Sequence, residues 1–310
     1  MRSADRKVHR KKSVFPGKEI VMEEKRDPAL EAAIRKAEEA KKAADAAKAQ
    51  KEAENPFYVA PNQDSEIKNV IGIVSGKGGV GKSTVTAALA VALKRKGYKV
   101  GILDADITGP SIPKMFGVKQ IGGIVGEQML PAQSASGIQI MSVNLLMEEE
   151  EAPVIWRGPA IAGIVKQFWS DVIWGELDYL LVDMPPGTGD VPLTVFQSLP
   201  VTGILLVTSP QSLVEMVVKK AYNMAEQMNI PVLGVIENFS YVVCPDCGKK
   251  IYVFGENTLK GWSEKSGVKV VERLPMDSAV AELADEGRME ALDPGYLYEA
   301  ADTITELTQK

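Results

Sequence analysis

The chain has 310 residues, 45% of them hydrophobic and 25% charged, which is enough apolar material for a large core without disulfide or metal staples. No run approaches the roughly 18 uninterrupted apolar residues of a membrane span, and the N-terminal stretch is charged where a secretory signal is apolar, so a cytoplasmic location and no membrane partner are expected. The net charge of −5 is uneven: residues 1–54 hold 15 Lys and Arg against 11 Asp and Glu, leaving an acidic remainder that argues against nucleic acid as a partner.

In chain order, residues 1–26 mix basic residues with Ser, Gly and Pro and show no apolar period, which predicts a disordered basic tail. Residues 27–63 change to Ala, Lys and Glu with a thin stripe at Leu30, Ile34 and Ala37, then to Asn55, Pro56, Pro61 and Asn62. This predicts a charged, solvated helix followed by a linker. From 64 to 310 short β-branched runs alternate with helical stretches, the pattern of an α/β, doubly wound, mostly parallel sheet with helices on both faces. Val70–Val74, Val100–Leu103, Tyr179–Val182, Gly203–Val207 and Val232–Ile236 read as strands. Lys82–Lys96 and Ser212–Met228 read as helices, the first stopped by Gly97.

Directly after the first strand stands Gly76-Lys77-Gly78-Gly79-Val80-Gly81-Lys82-Ser83-Thr84, which satisfies G-x-x-x-x-G-K-[ST] in the strand-to-helix setting that a phosphate loop needs. Glycines let successive backbone N–H groups face phosphate oxygens, and the helix behind adds its positive end. ATP is the expected ligand, with Lys82 on the β and γ phosphates and the Ser83 hydroxyl on Mg2+. Lys77 supplies a second cation for charge developing during hydrolysis. The next strand ends in Asp104-Ala105-Asp106, placing two carboxylates at the carboxyl edge of the sheet. Either can orient an attacking water or cap the following turn. Tyr179–Asp183 is an apolar strand ending in a carboxylate, and Asp183 is expected to hold Mg2+. Met184-Pro185-Pro186-Gly187-Thr188-Gly189-Asp190 then combines stiff prolines with permissive glycines, as a γ-phosphate-sensing switch would.

The only cysteines are Cys244 and Cys247, in the compact knuckle Cys244-Pro245-Asp246-Cys247-Gly248, whose backbone N–H groups suit thiolates bound to a metal. Zinc and iron–sulfur sites usually take four ligands, and the single histidine is His9 in the basic tail. A complete site therefore calls for a second chain, which a two-fold dimer supplies by bringing two copies of one loop together. The knuckle suits either metal, and a thioredoxin-like redox pair is a further reading.

The form K-G-G-x-G-K-[ST] at Lys77–Ser83 resembles the deviant Walker A ATPases, which include the MinD, ParA, nitrogenase iron protein and Mrp families. Trp156-Arg157-Gly158-Pro159, Asp183–Asp190, Glu237-Asn238 and the cysteine knuckle narrow the resemblance to the Mrp/ApbC iron–sulfur cluster carriers, over nearly all of residues 66–292. The resemblance implies a homodimer in which Lys77 crosses to the other subunit's phosphates and Asp106, with Asp104 in support, orients the water. It also implies that Gly187 lies in the switch, and that Asn238, Pro275 and Asp277 meet adenine. Cys244 and Cys247 would share a [4Fe-4S] cluster with their symmetry copies and pass it to apo iron–sulfur proteins, zinc being the lesser alternative. Two departures stand out: a charged helix takes the place of the cluster-assembly domain or cysteine-rich segment that members often carry, and Asn257-Thr258-Leu259 follows Phe254-Gly255-Glu256 where further glycines are expected. Competing outputs are a MinD- or ParA-like positioning ATPase, disfavoured by a 299–310 segment without a basic amphipathic face, and an ATP-gated electron donor like the nitrogenase iron protein.

Overall fold

The computed structural model describes residues 55–106, 111–147, 158–210, 214–256 and 259–308. The predicted basic tail and charged helix lie outside the described residues, as do Trp156 and Arg157. In chain order the elements are β1 (Ser65–Val74), α1 (Lys82–Arg95), β2 (Val100–Asp104), α2 (Ile112–Met115), β3 (Gly123–Val125), β4 (Gln128–Leu130), β5 (Ala132–Gln133) and β6 (Gln139–Ser142). There follow α3 (Gly158–Ser170), β7 (Gly175–Asp183), α4 (Asp190–Ser198), β8 (Gly203–Thr208), α5 (Val214–Gln227), β9 (Val232–Val243) and β10 (Lys250–Ile251). The chain closes with α6 (Lys260–Ser266), β11 (Val270–Pro275), α7 (Ser278–Asp285) and α8 (Tyr298–Thr308).

Six strands form a parallel sheet in the order β9-β8-β1-β7-β2-β6, and β11 adds to β9 in parallel. β5 and β10 pair antiparallel with β6 and β9, and β3–β4 make a separate hairpin. Each expected strand lies inside an observed one, because a strand buried on both faces must be apolar at every position, and that run is what the sequence displays. Val70 and Val74 of β1 point into a core with Phe168 and Trp169 of α3, Phe196 of α4 and Val218 of α5. Ile71 and Ile73 point the other way, onto Val85, Leu89 and Leu93 of α1 and onto Ala300 and Ile304 of α8. The first helix ends at Arg95, one residue earlier than expected, and Gly97 (φ +95°) donates its N–H to Lys94 O, closing the last turn as a C′ glycine does. Among the described residues no helix is long and apolar enough to cross a membrane.

The register brings three strand ends together: Asp183 of β7 lies opposite Ile73 of β1 on one side and Asp104 of β2 on the other. Ligand sites of parallel α/β sheets form at this edge, where strand order reverses. Here β1 is flanked by β7 and β8, to neither of which it connects directly.

A clasp far from that edge gives a first test. Glu290 Oε1 receives Ser134 Oγ at 2.6 Å, Ser136 N at 2.9 Å and Ser136 Oγ at 2.5 Å, tying the β5–β6 turn to the C-terminal segment. Burial raises the Glu290 carboxyl, but these donors outweigh it and hold the group below its usual range. A depressed carboxylate contributes stability above its unfolded value and loses it as the pH falls through the folded one. Glu290→Gln is expected to cost about 1–2 kcal/mol near pH 7 in urea unfolding. The gap from the parent protein closes below about pH 4; a gap that persists there would show that the clasp does not depend on charge.

Candidate functional site

The phosphate loop runs from the end of β1 into α1. Gly81 (φ +76°) is the residue preceding the helix, and a Cβ there would collide with Asn238 Nδ2 and lie 3.2 Å from Phe239 Cζ. Gly76 is required by packing: any side chain would run into Val217 of α5, whose carbonyl oxygen would be 2.7 Å away. The first turn of α1 has no side-chain cap, so its amide groups face the loop's concavity. That concavity has a volume of about 220 Å³ and is lined by the loop from Gly78 to Thr84 together with Asp106, Met115 and Pro186.

Lys82 is buried, and its Nζ lies 2.8 Å from Asp183 Oδ1 and 3.7 Å from Asp106 Oδ2. The Ser83 hydroxyl donates to Asp183 Oδ2 at 2.5 Å. Thr86, one turn further along α1, donates to Asp183 Oδ1 at 2.7 Å. Asp183 thus gathers a cation and two hydroxyls on a side chain with no solvent contact. Ser83 Oγ and the Asp183 carboxylate are hard oxygen donors brought side by side from two elements, a donor set that fits Mg2+.

The two candidate carboxylates after β2 separate by environment. Asp104 is enclosed, accepting from Ser142 Oγ at 3.1 Å and from Asp106 N at 3.2 Å. Burial first, and then the neighbouring Asp183 charge, hold its carboxyl well above the usual range. Asp106 is the one that lines the cavity. Lys77 and Gly76 lie outside that lining; Lys77 is half-buried, with its carbonyl receiving Ser75 Oγ at 3.0 Å. Gly187 (φ +93°) donates its N–H to Ser75 O at 2.8 Å, tying the switch segment to the base of the phosphate loop.

The residues expected at adenine have structural duties as well. Asn238 is buried and its Nδ2 donates to Val80 O at 3.0 Å, while its Oδ1 accepts from Phe239 N. It braces the phosphate loop from behind, with one donor and one lone pair left for another partner. Asp277 is exposed and caps α7, accepting from Ala279 N at 2.9 Å. Pro275 ends β11 opposite Tyr241 of β9.

β9 carries the chain past the sheet edge to the cysteine knuckle. Val243 pairs with Lys250, Cys244 N donates to Lys249 O, and Gly248 (φ +70°) donates back to Cys244 O, so the knuckle is a closed hairpin loop. Cys247 is exposed and Cys244 partly so. The backbone N–H groups of Cys247 and Asp246, together with the Cys247 thiol, pull the Cys244 thiol below its usual value, the tuning that a metal-binding thiolate requires. Among the described residues no group of three or more His, Cys, Asp or Glu is arranged to hold a metal ion, so this loop offers two ligands per chain.

A phosphate loop, its acidic partners and a two-cysteine knuckle occur here on one sheet. The model of the family described as ParA, NUBPL iron-transfer P-loop NTPase, matches residues 66–310. The chain belongs to this family. Its relatives in the family include iron–sulfur cluster carrier proteins from Clostridium perfringens, 48% identical over 72% of this chain and 81% of the relative, and from Methanocaldococcus jannaschii, 49% identical over 72% and 78%. A nucleotide-binding protein of Archaeoglobus fulgidus, solved in complex with ADP, is 45% identical, with a TM-score of 0.66 over 74% of this chain and 90% of its own. The MinD cell division ATPase of Pyrococcus furiosus, at 21% identity and a TM-score of 0.54 over 77% of this chain and 99% of its own, shares the fold alone. As a family member the chain is an iron–sulfur cluster carrier-type P-loop NTPase, which settles the resemblance on the Mrp/ApbC side of the MinD-like group.

Proposed function

We propose that the chain binds and hydrolyses ATP as a homodimer, holds a [4Fe-4S] cluster between the two copies of its cysteine knuckle, and hands that cluster to apoproteins. The observation that carries this reading is the pairing, on one sheet edge, of a phosphate loop with an exposed hairpin that offers only two thiols. Four thiols from two chains complete a cluster's ligand set. The surface around the hairpin is apolar as well: Val243, Ile251, Val253 and Phe254 are 45–64% exposed, the kind of patch that another protein surface covers.

In the proposed cycle Lys82 turns from Asp183 to the β and γ phosphates, and the backbone N–H groups of Gly78 to Ser83 hold the remaining oxygens. Mg2+, held by Ser83 and Asp183, would offset phosphate charge. Asp106, at the cavity wall 3.7 Å from Lys82, orients the attacking water. Lys77, outside its own chain's cavity lining, acts on the phosphates of the partner copy, so turnover requires dimerisation. Asn238, Pro275 and Asp277 sit at the adenine end. ATP binding and loss then bias two dimer arrangements with different grips on the cluster.

Anaerobic reconstitution with iron and sulfide tests this reading. The expected product is a brown dimer with about four irons per two chains. A monomer that binds zinc through the two thiols, or one that takes up no metal, would rule out the bridging cluster.

A further inference from the structure

Of the register irregularities along β9, the widest lies between the two sites. Thr208 of β8 pairs with Glu237, the last residue of β9 to pair with β8. On the other side Arg273 of β11 lies opposite Glu237 and Pro275 opposite Tyr241, so two steps along β11 match four along β9. Asn238, Phe239 and Ser240 are the bulge. Its backbone is held by the Ser240 hydroxyl, whose Oγ lies 2.8 Å from Glu237 O and 2.6 Å from Glu237 Oε2 and shares its one proton between them, and Arg273 Nε donates to the same Oε2 at 3.2 Å. At its centre Phe239 sits at φ +57°, a left-handed conformation unfavourable for a bulky residue with a Cβ and found where surrounding contacts impose it.

Those contacts are with the phosphate loop. Asn238 holds the Val80 carbonyl, and the Phe239 ring reaches the face of Gly81. Beyond the bulge β9 resumes at Tyr241, whose carbonyl receives Met276 N at 2.8 Å, and reaches Cys244 within three more residues. A shift of the Val80–Gly81 backbone therefore bears directly on a strained residue whose relaxation to an extended φ would change the register of the strand that carries the cysteines.

We propose that Phe239 is a positioning residue that couples the phosphate loop to the cysteine hairpin, so that nucleotide in the loop changes the exposure of Cys244 and Cys247. This rests on the nucleotide-binding part of the function proposed above. The test uses the reduced, metal-free full chain. The rate of thiol modification by 5,5′-dithiobis(2-nitrobenzoate) is measured with and without magnesium and AMP-PNP, and nucleotide affinity is measured in parallel. In the parent chain nucleotide is expected to change the rate about fivefold or more. Phe239→Gly, which accepts a positive φ and removes the ring, is expected to bring the ratio to one while still binding nucleotide. Phe239→Tyr, which keeps the ring, retains the ratio. Phe239→Leu, with a Cβ but no ring to reach Gly81, also loses it and stands in should the glycine variant fail to fold. A ratio unchanged in Phe239→Gly or Phe239→Leu, or a parent chain that binds nucleotide without any change in rate, would overturn the coupling. A parent chain that binds no nucleotide would overturn the nucleotide reading itself and the coupling with it.

Discussion

Cys244→Ala and Cys247→Ala are each expected to lose the cluster completely while nucleotide affinity stays within a factor of about ten, the size of a modest coupling between two sites that share no ligands. Each chain offers two thiols at the knuckle and no third candidate ligand gathers among the described residues, so one substitution removes two of the four ligands in a symmetric dimer. The hairpin is separated from the phosphate loop by the bulge of β9, and neither thiol lines the phosphate cavity. Iron and sulfide analysis after anaerobic reconstitution, with calorimetric titration of ADP on the same samples, measures both halves. Loss of ADP binding in step with iron would mean that the sites are one, and full iron in either variant would mean that the ligands lie elsewhere.

Lys82→Ala and Lys77→Ala are expected to fail in different ways. Lys82 is buried in the loop, so its removal costs the phosphates a desolvated cation, about 3 kcal/mol or roughly a hundredfold in affinity. It also leaves Asp183 buried without its ion-pair partner at 2.8 Å. Breaking a buried pair from one side destabilises by about 3–5 kcal/mol, so the variant should unfold at lower urea than the parent chain. Asp183→Asn in the same chain should recover much of that stability, because the uncompensated charge is then gone. Lys77, by contrast, lies outside the cavity lining, and Lys77→Ala is expected to leave affinity nearly unchanged. Its turnover should fall by about a thousandfold or more, the order expected when a cation supplied across an interface is lost. Equal turnover in Lys77→Ala and the parent chain would remove the trans role; equal stability in Lys82→Ala would show that Asp183 is compensated by other groups.

The parts of the fold legible in the sequence were those that repeat or exclude. A strand covered on both faces has to be apolar throughout, so the five central strands could be read directly, and the phosphate loop could be read because its residue types are dictated by backbone approach to phosphate. β5 and β10, of two residues each, and the β3–β4 hairpin have no period to read, since partners distant in the chain define them. Asn238 could be read by resemblance as an adenine contact, but its hold on Val80 depends on a bulge set by the register of β11 against β9, which no local pattern announces. Thr86 carries no signal in the sequence: a hydroxyl beyond the motif becomes a donor to Asp183 only once α1 is docked on the sheet. Asp104 and Asp106 look alike in sequence, and only the fold buries one under Ser142 and leaves the other at the cavity wall.

Delivery of a cluster by the proposed carrier is tested most directly by transfer. The reconstituted full chain is mixed anaerobically with an apo [4Fe-4S] enzyme in the presence of an iron chelator, and recovery of that enzyme's activity is followed with and without magnesium and ATP. The expected result is recovery that survives the chelator, because the cluster passes intact, and that is absent with Cys244→Ala. Recovery abolished by the chelator, or equal recovery from free iron and sulfide, would contradict a carrier and leave a nucleotide-binding protein with a resident metal centre.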